Sequence, residues 1–296
     1  MQSAALCFSV YAVLAAAFFH TPGTRRDMHS GHAQKNELAR QIASGNSERA
    51  KDLARNLLPG DVGDVLENSA SSPKPSVRML VLDLASEYHS EGASRAILSR
   101  LQDGDLTVRS VAGSLIATIA QKELIPAMFR LLEQGLDLPL KRALARQIGM
   151  IGSDNDLRGL RKLYVSASDP SYKNDIALAM ARLGDQPSRT QLIKRLSAPD
   201  AIARTAALRD VAYVGDPVLA RYFRVVLEDR RDAVVISLPH DPVVFARVCD
   251  VAIQTLDAIR VKLPFSTFPM RRFSDADVKE VLQMISVLEK IPPPEA

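Results

Sequence analysis

Tryptophan is absent from this 296-residue chain and aromatic residues make up only 5% of it, although 47% of the residues are apolar. A core with so few rings must be built from aliphatic side chains, and a chain dominated by Ala and Leu favours helix packed on helix over a β-sandwich. The same shortage removes the aromatic and basic stripe on which single-strand nucleic-acid binders stack bases. Surplus positive charge is scarce as well. The 38 basic and 34 acidic residues leave a net charge of +4, too mild for a dedicated nucleic-acid binder. Cysteine occurs twice, as Cys7 and Cys249, with no CxxC pair, so no disulfide framework and no cysteine-based metal or redox motif is implied. Of five histidines, His89 and His240 stand far apart with no obvious partner carboxylate or nucleophile, which leaves catalysis without a candidate residue.

Charge is missing entirely from residues 1–24. The apolar run from Ala4 to Phe19 covers 16 residues, short for a spanning helix of about 20 but suited to a signal-peptide core. An A-x-A site at residues 15–17 predicts cleavage after Ala17, export and a periplasmic location. No basic stretch precedes the run, however, and Arg25 and Arg26 follow it. Left uncleaved, residues 1–24 would attach the protein to the membrane through 4–19 and leave the rest of the chain facing inward. Residues 18–33 are small and polar, broken by Pro and Gly, and read as a flexible linker.

From Gln34 onward the periodicity is helical. The pentapeptides DLTVR, DLPLK, DPSYK and DAIAR start at 105, 137, 169 and 200, and KPSVR at 74 is a degenerate copy. Each opens an apolar helical segment that ends at a small residue in register: Ala120, Gly152, Gly184 and Gly215. The Asp accepts orphan backbone N–H groups at the helix start, and the basic residue four places on is expected to pair with that carboxylate. Gly after the segment lets the chain turn left-handed into a second amphipathic helix. A period near 31 with two helices per unit predicts an all-α fold, an α-solenoid of helix pairs over residues 34–296. Insertions at 230–242 and 261–273 interrupt the rhythm, with a helix expected from Val243 and a capping box at SDAD from Ser274.

The D-x-x-V-R-x-x-A start at Asp105–Ala112 and the Gly-Asp ends at 184–185 and 215–216 resemble HEAT repeats of the short kind also found in phycobilin lyases. That resemblance covers about residues 47–260 and implies a binding platform. HEAT-repeat hydroxylases carry paired His-Glu motifs for a di-iron site, and this chain has no His-Glu dipeptide. The expectation is therefore a protein that is not an enzyme and holds no cofactor or metal. A lyase or a metal-dependent enzyme on the same fold is the lesser alternative.

The best-patterned surface lies on the second helices. Arg100, Arg130, Lys162, Arg195 and Arg224 each precede an aliphatic residue at spacings of 30, 32, 33 and 29, so stacking would align them in a column. Second helices usually line the concave face of such solenoids, and five of them hold 12 basic against 5 acidic residues. The expected partner is a protein with an acidic surface, steered into a basic groove. A solvated face is the plainer alternative. A second candidate is LPFSTFPMRRF at 263–273, where Phe265, Phe268, Arg271 and Arg272 are of types enriched at interface cores. Folding back of Phe265, Phe268 and Phe273 to close the solenoid end would explain the same segment. His20, His29 and His32 could ligate a square-planar metal if cleavage left a free amine near His20, although a polar linker needs no such role. Cys249, among apolar helix positions, reads as a buried small hydrophobe.

Overall fold

The computed structural model describes residues 28–236, 244–268 and 271–291. The signal-peptide, anchor and His20 readings, like the side chain of His29, lie outside those residues, and His32 is exposed on the first helix. Among the described residues the chain is fifteen α-helices, four short 3-10 turns and one two-stranded hairpin. The first helix, α1, spans Met28–Ser44, so the linker read over 18–33 gives way to helix at its last six residues. α2 (Ser47–Ala54) and α3 (Pro59–Ser69) follow.

The helices opened by the pentapeptides are α4 (Pro75–Glu87), α6 (Leu106–Ser114), α8 (Leu138–Ile151), α10 (Pro170–Arg182) and α12 (Ala201–Val214). Their partners are α5 (Glu91–Ser99), α7 (Ile125–Glu133), α9 (Leu157–Ser166), α11 (Gln186–Leu196) and α13 (Arg224–Leu227), with a 3-10 turn over Pro217–Tyr222 ahead of α13. Asp105 accepts from Thr107 and Val108 N–H at 2.9 and 3.1 Å, Asp169 from Tyr172 at 2.8 Å, and Asp200 from Ile202 and Ala203 at 3.1 and 2.7 Å. These carboxylates satisfy donors that the first helical turn cannot satisfy itself. Asp137 makes no such bond and instead lies 3.3 Å from Arg109. Gly184 and Gly215 take positive φ, 98° and 72°, as the turn requires. Gly152 does not, at φ −76°, so that link is extended rather than left-handed. α6 stops at Ser114, short of Ala120, where Gly113, Ser114 and a run of β-branched residues lower helix propensity.

The expected pairing of each basic residue with its own cap is not what forms. Arg78 grips Asp103, in the loop before the next repeat, with two bonds of 2.8 Å. Arg204 likewise reaches Asp229 at 3.0 Å and donates to Ala198 and Val225 carbonyls. The capping carboxylate is already turned onto backbone N–H groups, and helical side chains lean toward the N-terminus, past the cap and out to the adjoining loop. The motif thus ties repeats to each other instead of stabilising single helices.

The buried apolar side chains run from Leu38 to Ile285 in two clusters that meet at α10, which gives Ile176, Ala179 and Met180 to one and Leu178 and Ala181 to the other. At the C-terminal end, β1 (Asp232–Val235) pairs antiparallel with β2 (Phe245–Arg247) before α14 (Val248–Ala258) begins. The helix expected from Val243 begins only at Val248, after strand over Phe245–Arg247. Arg247 is the cause: it is buried, brackets both Asp250 oxygens at 2.9 and 3.0 Å, and donates to the Phe273 carbonyl at 2.6 Å. α15 (Asp275–Lys290) closes the chain under the expected capping box, Ser274 and Asp277 bonding each other's backbone N–H at 2.9 and 3.1 Å. Cys249 is fully buried in α14, and burial pushes its thiol pKa up.

Candidate functional site: cation rows across the repeats

Which layer of helices comes closest decides where a groove can lie. In the middle of the chain it is the first helices. A Cβ added at Gly149 of α8 would fall 2.7 Å from the Ala179 Cα of α10, so the two backbones touch. α7 and α9 meet through a side chain instead, the Phe129 ring lying over Gly159. At the N-terminal end the order reverses, with Gly63 of α3 against Gly92 of α5. Close backbone contact is thus made by first helices at Gly149 and by second helices at Gly63 and Gly92.

The column of five cations is broken up by counter-ions. Arg100, at the end of α5, pairs with Asp103 at 3.2 Å beside Arg78. Lys162 pairs with Glu133 of the preceding second helix at 2.9 Å, both side chains well exposed. Arg195 bonds Asp210 at 2.8 Å and Asn174 at 2.9 Å. Arg224 reaches α15, bonding Glu289 at 2.6 Å and Ser286 at 2.8 Å. Arg130 alone among the five makes no ion pair or hydrogen bond with the described residues, and it is exposed. It lines a groove of about 460 Å³ between α5 and α7, whose apolar wall is Leu98, Leu124, Ala127 and Leu131, with Arg95, Glu123 and Gln134 also lining it.

The C-terminal segment splits in a similar way. Phe265 is half-buried, its ring 5.6 Å from that of buried Phe273, and Thr267 donates to Asp257 at 2.5 Å. These residues close the end of the stack. Arg271 lies over the Phe273 ring at 5.1 Å and Arg272 is 3.8 Å from Asp232. Phe268 projects, with 87% of its surface exposed, and Arg271 and Arg272 are exposed beside it.

A second row was not foreseen from the sequence. Asp175 on α10 is fully buried and accepts from Arg142 and Arg146 of α8 at 2.5 and 2.6 Å. Arg146 also reaches Asp210 of α12 at 3.4 Å, and Arg195 closes the chain from α11. Tyr213 of α12 donates to the Arg146 carbonyl at 2.6 Å, and its ring is covered by the Arg146 and Arg182 guanidiniums at 5.1 and 5.6 Å. Burial raises the Tyr213 pKa far above the ordinary phenol range, so it stays a neutral donor. The signal was present but faint: Arg142 and Asp175 stand 33 residues apart, one more than the period of that pair of repeats.

Acid should loosen the ties between repeats. Burial disfavours the ionised form of Asp103, yet the Arg78 fork, the Asp105 N–H and the Arg100 charge together outweigh it and hold the carboxyl below its usual range. Arg231 does the same for Asp229. A depressed folded-state pKa means the unfolded chain binds more protons, so this stability is full above the ordinary carboxylate value of about 4 and is lost as pH falls through the depressed pKa. Urea midpoints measured from pH 7 to pH 3 should be flat at first and fall below about pH 4, and Arg78→Gln should flatten that fall.

Among the described residues no group of three or more His, Cys, Asp or Glu is placed to hold a metal ion, and no helix is long and apolar enough to cross a membrane.

Helix pairs at a period near 31, tied by arginines from repeat to loop, define the chain as an all-α solenoid of HEAT-like type. No family description matches the sequence, and no curated protein matches it. Three solved structures are similar in fold. A chain in the complex of CpcE and CpcF of phycocyanin lyase from Nostoc sp. PCC7120 is 16% identical, with TM-score 0.44, over 92% of this chain and 100% of that one. Two engineered proteins are each 18% identical. One has TM-score 0.39 over 91% of this chain and 77% of its own, the other 0.31 over 76% and 96%. The expectation that the chain is no enzyme is corrected here, because the first of these structures is of a phycocyanin lyase. The missing His-Glu pairs exclude one di-iron arrangement and do not exclude catalysis.

Proposed function

We propose that this protein is a binding scaffold that holds an acidic segment of a protein partner, with the groove between α5 and α7 as a working surface. Arg130 carries the reading: it is an exposed guanidinium with no counter-ion among the described residues, set beside an apolar wall. A carboxylate placed there by a partner would complete a charge pair next to aliphatic side chains that exclude water, which favours both docking rate and register. Phe268 offers a second apolar contact at the far end of the stack.

The uncharged run at Ala4–Phe19 supports a periplasmic setting for this encounter, and the Arg25–Arg26 flank supports an inward-facing, membrane-held one. Protease added to intact spheroplasts should digest the protein in the first case and spare it in the second.

The direct test is affinity capture from native cell envelope with wild type and Arg130→Glu. The variant should fold normally, since Arg130 is exposed, and should lose about tenfold or more in affinity for the captured partner, roughly 1.4 kcal/mol. The wild-type complex should weaken as salt rises. Equal capture by both proteins at all salt concentrations would sink the proposal.

A further inference from the structure

We infer that the buried Asp175 and Asp210 hold Arg142 and Arg146 open as a clamp for a single carboxylate of the partner. The inference rests on the scaffold reading only for the origin of that carboxylate, and it concerns a different face of the chain from the α5–α7 groove.

The geometry is that of a braced row. Asp175 accepts the Nε–H of Arg142 and of Arg146, and Asp210 accepts from Nη2 of Arg146 and Nη2 of Arg195. Asp175 thus bridges two guanidiniums one turn apart on α8, and Asp210 bridges guanidiniums from α8 and α11. Arg195 has both its Nη groups engaged, the second on Asn174, and acts as a brace for Asp210. Arg142 uses only Nε, so its two Nη groups have no partner within the described residues, and Nη1 of Arg146 is also unused. The side chains of Arg142 and Arg146 are 45% and 37% exposed, whereas those of Asp175 and Asp210 are 1% and 11% exposed. Donors therefore face outward and acceptors inward.

Fixing two guanidiniums in this way removes much of the side-chain entropy that a mobile arginine loses on binding. Rigidity comes from helix packing as well: Tyr213 holds the Arg146 backbone carbonyl and presents its ring to the guanidinium. The paired Nη edge of Arg142 matches the two oxygens of a carboxylate, the planar geometry that arginine recognises best.

Charge decides between carboxylate and phosphate. Three guanidiniums against two carboxylates leave +1 on the row, which one carboxylate neutralises. A phosphoryl group carries close to two negative charges and would lie next to Asp175 and Asp210 with an uncompensated charge. Asp169 near Arg142 and Arg182 over the Tyr213 ring offset each other and leave that balance at +1.

The test uses the full chain and four fluorescent decapeptides: one with three internal glutamates and an amidated end, its glutamine counterpart, its phosphoserine counterpart, and a neutral peptide with a free C-terminal carboxylate. Anisotropy at low salt should show binding of the glutamate peptide and not of the glutamine one. Arg142→Gln should weaken it about tenfold or more while the melting temperature moves little, because Asp175 keeps Arg146. Binding of the free-terminus peptide with the same dependence on Arg142 assigns the clamp to chain ends as well. A phosphoserine peptide that binds as tightly as the glutamate peptide overturns the carboxylate assignment. Glutamate-peptide binding unchanged by Arg142→Gln, or absent in wild type, overturns the clamp. Failure of the clamp with loss of the cellular partner in Arg130→Glu leaves the scaffold reading standing. If Arg130→Glu captures like wild type, the α5–α7 groove falls independently.

Discussion

Gly149→Ala is expected to destabilise the fold by about 1–3 kcal/mol, although exchanging glycine for alanine inside a helix ordinarily stabilises it by about 1 kcal/mol. The added methyl would lie 2.7 Å from the Ala179 Cα, 2.8 Å from its Cβ and closer still to the Tyr213 hydroxyl. The first of these atoms is backbone, and the hydroxyl is pinned by its bond to the Arg146 carbonyl, so α8 and α10 must move apart. Separation of those helices also pulls Arg142 and Arg146 from Asp175. Equilibrium urea unfolding reads the loss directly. In a Tyr213→Phe background the same substitution should cost less than the sum of the two single changes, because one of the three clashes is gone. A stabilised Gly149→Ala protein would show that the helices are not in backbone contact.

Asp175→Ala should be the costliest single change in the arginine row, at about 1–3 kcal/mol. It leaves the Arg142 and Arg146 guanidiniums side by side on α8 with no anion between them, and their partial exposure lets water take up part of the loss. Asp175→Asn should fall in between, since an amide still accepts one hydrogen bond but carries no charge. Arg142→Gln removes only one outer partner and should cost far less. This ordering, measured by thermal or urea unfolding, separates a braced network from a set of independent surface pairs. Equal small effects from all three substitutions would place the row among ordinary exposed ion pairs worth a fraction of a kcal/mol.

The arginine rows show how far the sequence reaches. Asp105, Asp169 and Asp200 were legible as caps because a cap is a local event, settled within three residues by orphan N–H groups. Arg78, Arg109 and Arg204 were legible as recurring cations, but their partners were not. The choice between the cap four residues back and a loop carboxylate some 25 residues on depends on where the next repeat lies. Four of the five cations in the second-helix column turned out to be held by Glu or Asp from neighbouring elements. Only Arg130 kept the free guanidinium that the charge pattern suggested for all.

What the sequence by itself determined is the repeating unit: its period near 31, its capped starts, its glycine turns at Gly184 and Gly215 and its aliphatic core. All of these are set by backbone donors and side-chain periodicity within one repeat. Tertiary structure alone decided which helices pack backbone against backbone, through glycine contacts at Gly63–Gly92 and Gly149–Ala179 that no periodicity reveals. It also decided which cations meet carboxylates. Repeats stack by burying apolar faces, a force without direction, and the small rotation between neighbours then brings Arg142 and Arg146 onto Asp175.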